Sequence, residues 1–173
     1  MSKDNIYILD SDALIDFYNH FPAKFKKLQA LSKNGLFKIP EGVFRELKRK
    51  SDKLRRLIER WENEFNIVIS IKSNIQLVNE FGRIEITFGD EIKVGGKIYP
   101  GFWKSPAGRK AADGQLVTIG KVLPKHIVVS DDKAVSLACL LENVECIGWA
   151  EFARRIGINN QNQQGSLFDQ SQN

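Results

Sequence analysis

Apolar positions along the chain alternate between short β-rich runs and longer stretches at helical spacing. Ile6-Tyr7-Ile8-Leu9 is the first such run and ends at Asp10; Leu14, Ile15, Phe17 and Tyr18 then repeat at helical intervals, predicting a strand and a helix. A second helix is predicted over residues 22–32, with Pro22 in its first turn and Gly35 past its end, followed by a strand over residues 36–39. Pro40 opens a long helix that carries Val43, Leu47, Leu54, Leu57, Ile58 and Trp61 on one face and lysine and arginine on the other. Residues 66–70 read as a strand and 75–81 as a short helix. The pair Gly95-Gly96 between two short extended runs predicts a hairpin within residues 89–99. A loop over 100–108, a helix over 110–122, a strand over 127–130, a helix over 133–141 and a last strand over 144–147 complete the pattern. Strands that alternate with helices imply a parallel sheet in an α/β fold.

At 173 residues, with 42% hydrophobic and 27% charged positions, the chain is long enough for one substantial core. The longest apolar runs, such as Ile127-Val128-Val129, fall far short of the roughly 20 residues that span a bilayer. The first residues have no apolar core or cleavage site of a signal peptide, so no membrane association and a cytoplasmic location are expected. From Asn159 onward the chain is dominated by Asn, Gln and Ser, and a flexible tail is expected there.

The formal charge of +5 and a pI near 9.2 suit an anionic partner. Lysines and arginines concentrate in residues 45–60 and 93–110, flanking the acids considered below. Cys139 and Cys146 stand without a neighbouring histidine, and His20 and His126 lie in unrelated contexts. Zinc, disulfide and histidine-based nucleophile chemistry therefore have no support, which leaves the carboxylates.

Asp10 and Asp12 follow the first strand, Glu46 lies on the helix after the second, Asp113 opens the helix before the late strand, and Asp131 and Asp132 follow Ser130. In a parallel sheet, sites form at the carboxyl ends of strands near the reversal of strand order, so these segments can converge. Gathered carboxylates repel one another and call for a cation. Oxygen-only ligands suit Mg²⁺ or Mn²⁺, which activate water and stabilise the oxygens of a phosphodiester displacement. Glu41 rivals Glu46, but five helical residues turn the two about 140° apart, and Glu46 is preferred. Taken singly, Asp113 and Asp132 read equally as N-caps and Glu46 as part of a charged helix face, whereas Asp10, directly after a buried strand, is poorly explained by capping alone.

Ile8-Leu9-Asp10-Ser11-Asp12-Ala13-Leu14-Ile15 resembles the opening of PIN-domain nucleases, a group that includes VapC-type toxins. Ile39-Pro40-Glu41-Gly42-Val43-Phe44-Arg45-Glu46-Leu47, Ala112-Asp113-Gly114-Gln115-Leu116-Val117 and Val128-Val129-Ser130-Asp131-Asp132-Lys133 resemble the second, third and fourth motifs in order. The resemblance implies a three-layer α/β/α nuclease domain over residues 1–157, with a basic and aromatic insertion at about 82–109 and a tail over 158–173. It assigns Asp10, Glu46, Asp113 and Asp132 as catalytic metal ligands, Asp12 as a further ligand, and Ser11, Ser130 and Asp131 as supporting groups. Asp12 stands where the family often has Asn or Ser, and Asp131 adds an acid beside Asp132.

Single-stranded nucleic acid is the implied substrate, RNA ahead of DNA, in the manner of a toxin ribonuclease held by an antitoxin protein. Arg45, Lys48, Arg49, Lys104, Arg109 and Lys110 are the candidate phosphate contacts. Phe102 or Trp103 either stacks on an unpaired base or pins the hairpin to the body. Gln164-Gly165-Ser166-Leu167-Phe168 resembles the peptide by which bacterial proteins bind the sliding clamp, through Gln164, Leu167 and Phe168; such recruitment would favour DNA. The resemblance also admits a homodimer. Two other readings remain: a haloacid-dehalogenase-type phosphatase, with Asp10 as nucleophile and Asp12 as acid, and a non-catalytic nucleic-acid-binding module.

Overall fold

The computed structural model describes residues 5–50, 52–104 and 111–158. Arg109, Lys110, Gln164, Leu167 and Phe168, and the side chain of Lys104, lie outside that description.

The chain runs through strand β1 (Ile6–Leu9), helices α1 (Ser11–His20) and α2 (Phe25–Lys33), strand β2 (Phe37–Pro40), helices α3 (Glu41–Lys48) and α4 (Lys53–Phe65), and strand β3 (Val68–Ile69). It continues with helix α5 (Ile75–Phe88), strands β4 (Ile92–Val94) and β5 (Lys97–Tyr99), helix α6 (Ala111–Val122), strand β6 (His126–Val129), helix α7 (Lys133–Glu142), strand β7 (Cys146–Ile147) and helix α8 (Trp149–Arg155). Five strands form one parallel sheet in the order β3-β2-β1-β6-β7, with Ile6 opposite His126, Leu9 opposite Val129 and Tyr7 opposite Phe37.

The period-two alternation of the strands sorts side chains to two cores. Tyr7, Leu9, Ile127 and Val129 pack with Phe17, Trp61 and Phe152 from α1, α4 and α8 on one face. Ile8 and Val128 pack with Ile84, Phe88, Leu116, Val117, Val135 and Cys139 from α5, α6 and α7 on the other. Helices therefore cover both faces of the sheet. Among the described residues no helix is long and apolar enough to cross a membrane.

Successive strands step from β1 outward to β3, and the chain then returns to place β6 on the opposite side of β1. Strand order thus reverses between β1 and β6. Their carboxyl ends, at Asp10 and Ser130, bound the crevice where open α/β sheets hold ligands.

Three elements differ from the expectation. The long helix from Pro40 is two helices, because Asp52 caps a new start by accepting the Arg55 N–H at 2.9 Å. Helix α5 runs on to Phe88, through Arg83-Ile84-Glu85-Ile86-Thr87, whose alternation is strand-like. Burial of Leu77, Ile84 and Phe88 at helical intervals overrides it and leaves Ile86 83% exposed. Helix α8 was not anticipated; its first N–H, from Trp149, is received by Asp131 Oδ2 at 3.0 Å, a cap supplied from across the sheet edge and not by its own sequence.

Strands β4 and β5 pair antiparallel as a separate ribbon, and Gly95 and Gly96 both carry positive φ (57° and 77°), as a two-residue type I′ turn requires.

Helix α3 meets α6 at Gly42, whose N–H donates to Gln115 Oε1 at 2.8 Å. A Cβ at Gly42 would stand 2.9 Å from the Ala112 Cα and 2.8 Å from that same Gln115 oxygen. Gly42→Ala should therefore separate the helices that carry Glu46 and Asp113, costing about 1–3 kcal/mol in chemical denaturation and lowering activity as well. A fully stable, fully active Gly42→Ala protein would show that α3 and α6 have slack there.

Candidate active site: an aspartate cleft at the reversal of strand order

Asp10 leaves the carboxyl end of β1 in extended conformation and begins α1, its Oδ1 accepting the Ala13 N–H at 2.5 Å. It is therefore an N-cap, yet capping does not account for its burial: only 7% of its surface is exposed. Burial pushes its carboxyl up to about 6; the negative charges of Asp12 and Asp132 add to the rise, and hydrogen bonds from Ser130 and Ala13 oppose it. A buried carboxylate that is costly to ionise, next to two like charges, marks a place where positive charge is wanted.

Ser130, buried at the end of β6, serves two neighbours. Its hydroxyl hydrogen-bonds Asp10 and accepts the backbone N–H of Asp132 at 3.1 Å. Asp132 caps α7, its Oδ1 accepting the Val135 N–H at 3.0 Å. Ser11 donates to Glu46 Oε2 at 2.6 Å, tying α3 to the start of α1. Each serine beside an expected acid thus orients one.

Asp113 is the third residue of α6, inside the helix and not at its cap, and is buried. Asp10, Asp12, Asp113, Asp131 and Asp132 all line one cleft of about 500 Å³. Asp16, Lys133 and Ala134 line it too, and the chain leaving β5, Pro100, Gly101 and Phe102, forms a wall. Asp16 lies one helical turn beyond Asp12, a spacing that could have singled it out.

Glu46 is not among the residues lining this cleft; it stands behind Ser11. Glu41 turns elsewhere, accepting the Ser70 hydroxyl at 3.0 Å, which separates the two glutamates as their helical spacing demands. Asp131 spends one oxygen on the start of α8.

No protein-family model and no curated protein matches this chain. The resemblance to PIN nucleases rests on its four motifs and on nothing beyond them.

Among the described residues no three His, Cys, Asp or Glu side chains converge closely enough to form a ready metal site. The donor chemistry nonetheless fits a hard divalent ion: all the acids offer oxygen, and Mg²⁺ needs only one or two carboxylates, taking its other positions from water and substrate phosphate. Asp10 and Asp113, both buried and both lining the cleft, are the pair best placed to supply them.

The basic residues distribute unevenly. Arg45 and Lys48 are exposed on α3 and Arg49 just past its end, with Lys48 Nζ 5.2 Å from the centre of the Phe44 ring. Of the two aromatics weighed for base stacking, Phe102 is buried against Phe88, and Trp103 donates its indole N–H to Glu85 Oε2 at 2.7 Å while its backbone N–H reaches the Gly89 carbonyl at 2.8 Å. This arrangement favours the pinning role for both.

Proposed function

We propose that the chain is a metal-dependent nuclease of PIN type that hydrolyses phosphodiester bonds in single-stranded nucleic acid, RNA ahead of DNA. The observation that carries this reading is the meeting of acids from three separate segments, Asp10, Asp113 and Asp132, in one cleft at the reversal of strand order. Mg²⁺ or Mn²⁺ bound by Asp10 and Asp113, with Asp12 and Asp132 alongside, would supply an activated water and charge neutralisation at the phosphate. Ser130 and the Ala13 N–H hold Asp10 in place, and Ser11 holds Glu46 behind it. Lys133, exposed at the cleft, offers a cation to a phosphate oxygen.

A phosphatase acting through Asp10 as nucleophile would leave Asp113 without a task, which is why the nuclease reading is preferred. The ribbon of β4 and β5 would then belong to an insertion of about residues 82–109 in the family's pattern. Antitoxin, sliding clamp and homodimer are partners the same reading admits.

Purified full-length protein should cleave single-stranded RNA in the presence of Mg²⁺ or Mn²⁺ and not in EDTA, with single-stranded DNA and flapped duplex as comparison substrates. Asp113→Asn should abolish the cleavage. A phospho-aspartyl adduct trapped on Asp10, or cleavage that persists in Asp113→Asn, would overturn the proposal.

A further inference from the structure

Phe102 is buried and Trp103, half-buried, is held by Glu85, so an unpaired base at the cleft needs another platform. Tyr99 is the one aromatic among the exposed large apolar side chains of the described residues, at 38%. It is the last residue of β5, opposite buried Ile92, and the next three residues, Pro100, Gly101 and Phe102, are the wall of the aspartate cleft. Lys97, exposed and two residues before Tyr99, shares its face of the two-stranded ribbon, whereas Lys93, paired with Ile98, lies on the other face; Lys133 stands at the cleft itself.

Along the chain, a cation, an aromatic ring and the wall of the acidic cleft thus follow one another, at Lys97, Tyr99 and residues 100–102. A strand of unpaired nucleotides presents the complementary sequence: phosphates for the lysines, a base for the ring and a phosphodiester for the cleft. Stacking accepts any base and needs no hydrogen-bond partner, which suits a partly exposed tyrosine at the end of a ribbon. A protein ligand would leave the lysines beside an acidic cleft without a purpose.

Resting on the nuclease reading, we infer that Tyr99 is a positioning residue that stacks on the base next to the scissile phosphate, with Lys97 carrying the backbone away along the ribbon. Such stacking requires an unpaired base, since a base held in a duplex offers no free face to the ring.

The test is binding of a fluorescently labelled single-stranded oligoribonucleotide to full-length protein in the Asp10→Asn background, followed by anisotropy. Tyr99→Leu, which keeps apolar cover over Ile92, should weaken binding roughly 5- to 100-fold, and Tyr99→Trp should bind about as well as the parent. An abasic nucleotide moved along the oligonucleotide should weaken the parent at one position by a similar factor, and should cost Tyr99→Leu nothing further there. Parent binding indifferent to the abasic nucleotide at every position, or Tyr99→Leu binding equal to the parent, overturns the inference. Cleavage by the native protein in the same solutions separates the two claims: cleavage with no Tyr99 effect removes this inference alone, whereas neither binding nor cleavage removes the nuclease reading with it.

Discussion

Replacing Asp10 with asparagine is expected to abolish hydrolysis and, in metal-free solution near neutral pH, to raise the melting temperature. The two effects have one origin. The Asp10 carboxyl sits at about 6 in the folded protein against 3.8 for an ordinary aspartate, chiefly because the fold buries it. Folding therefore favours the protonated form. Its contribution to stability is complete below about pH 4 and is lost as the pH rises through about 6, so at neutral pH the ionised group costs the fold on the order of 3 kcal/mol.

Asparagine removes the charge and keeps an oxygen for the Ala13 N–H, so the cap survives. Asp10→Asn should melt roughly 5–10 °C above the native protein near neutral pH, and the gap should close as the pH falls toward 4. Added Mg²⁺ or Mn²⁺ should narrow it from the other side, stabilising the native protein and not the variant. Equal melting temperatures at neutral pH would mean that Asp10 is not held against its charge, and the case for a cation there would lose its electrostatic basis.

What was legible in the sequence divides along physical lines. Strands β1, β2 and β6 were readable because each is a short, largely buried run rich in apolar residues, and the parallel order followed from their alternation with helices. The acids at their ends were readable for the same reason: Asp10 and Asp132 stand where a buried strand stops. Signals that depend on distant partners were not readable. The start of α8 is capped by Asp131, the course of α5 through a strand-like stretch is set by packing on α6, and the anchoring of the half-buried Trp103 depends on Glu85, eighteen residues away in sequence. Glu46 shows the same limit within the site. Its helix and its turn away from Glu41 follow from spacing, but its place behind Ser11 follows from how α3 docks.

Phe102→Ala should be the most damaging substitution in the chain leaving the ribbon, at about 3–5 kcal/mol of folding stability measured by denaturant titration. Phe102 is 1% exposed and packs with Phe88, Ile92 and the apolar face of α6, so its removal opens a void under the cleft wall. A projecting aromatic arm devoted to nucleic acid would behave in the opposite way, losing affinity at no cost in stability. The contrast with Tyr99→Leu makes the distinction sharp: one position should move the denaturation midpoint and the other the oligonucleotide affinity. Activity should fall in Phe102→Ala even well below its melting temperature, because Pro100, Gly101 and Phe102 line the same cleft as Asp10 and Asp113. Amide exchange should locate the loss, with β4, β5 and the last turn of α5 losing protection before the parallel sheet does. A cost below about 1 kcal/mol would place Phe102 outside the core and return the chain leaving the ribbon to the role of a mobile arm.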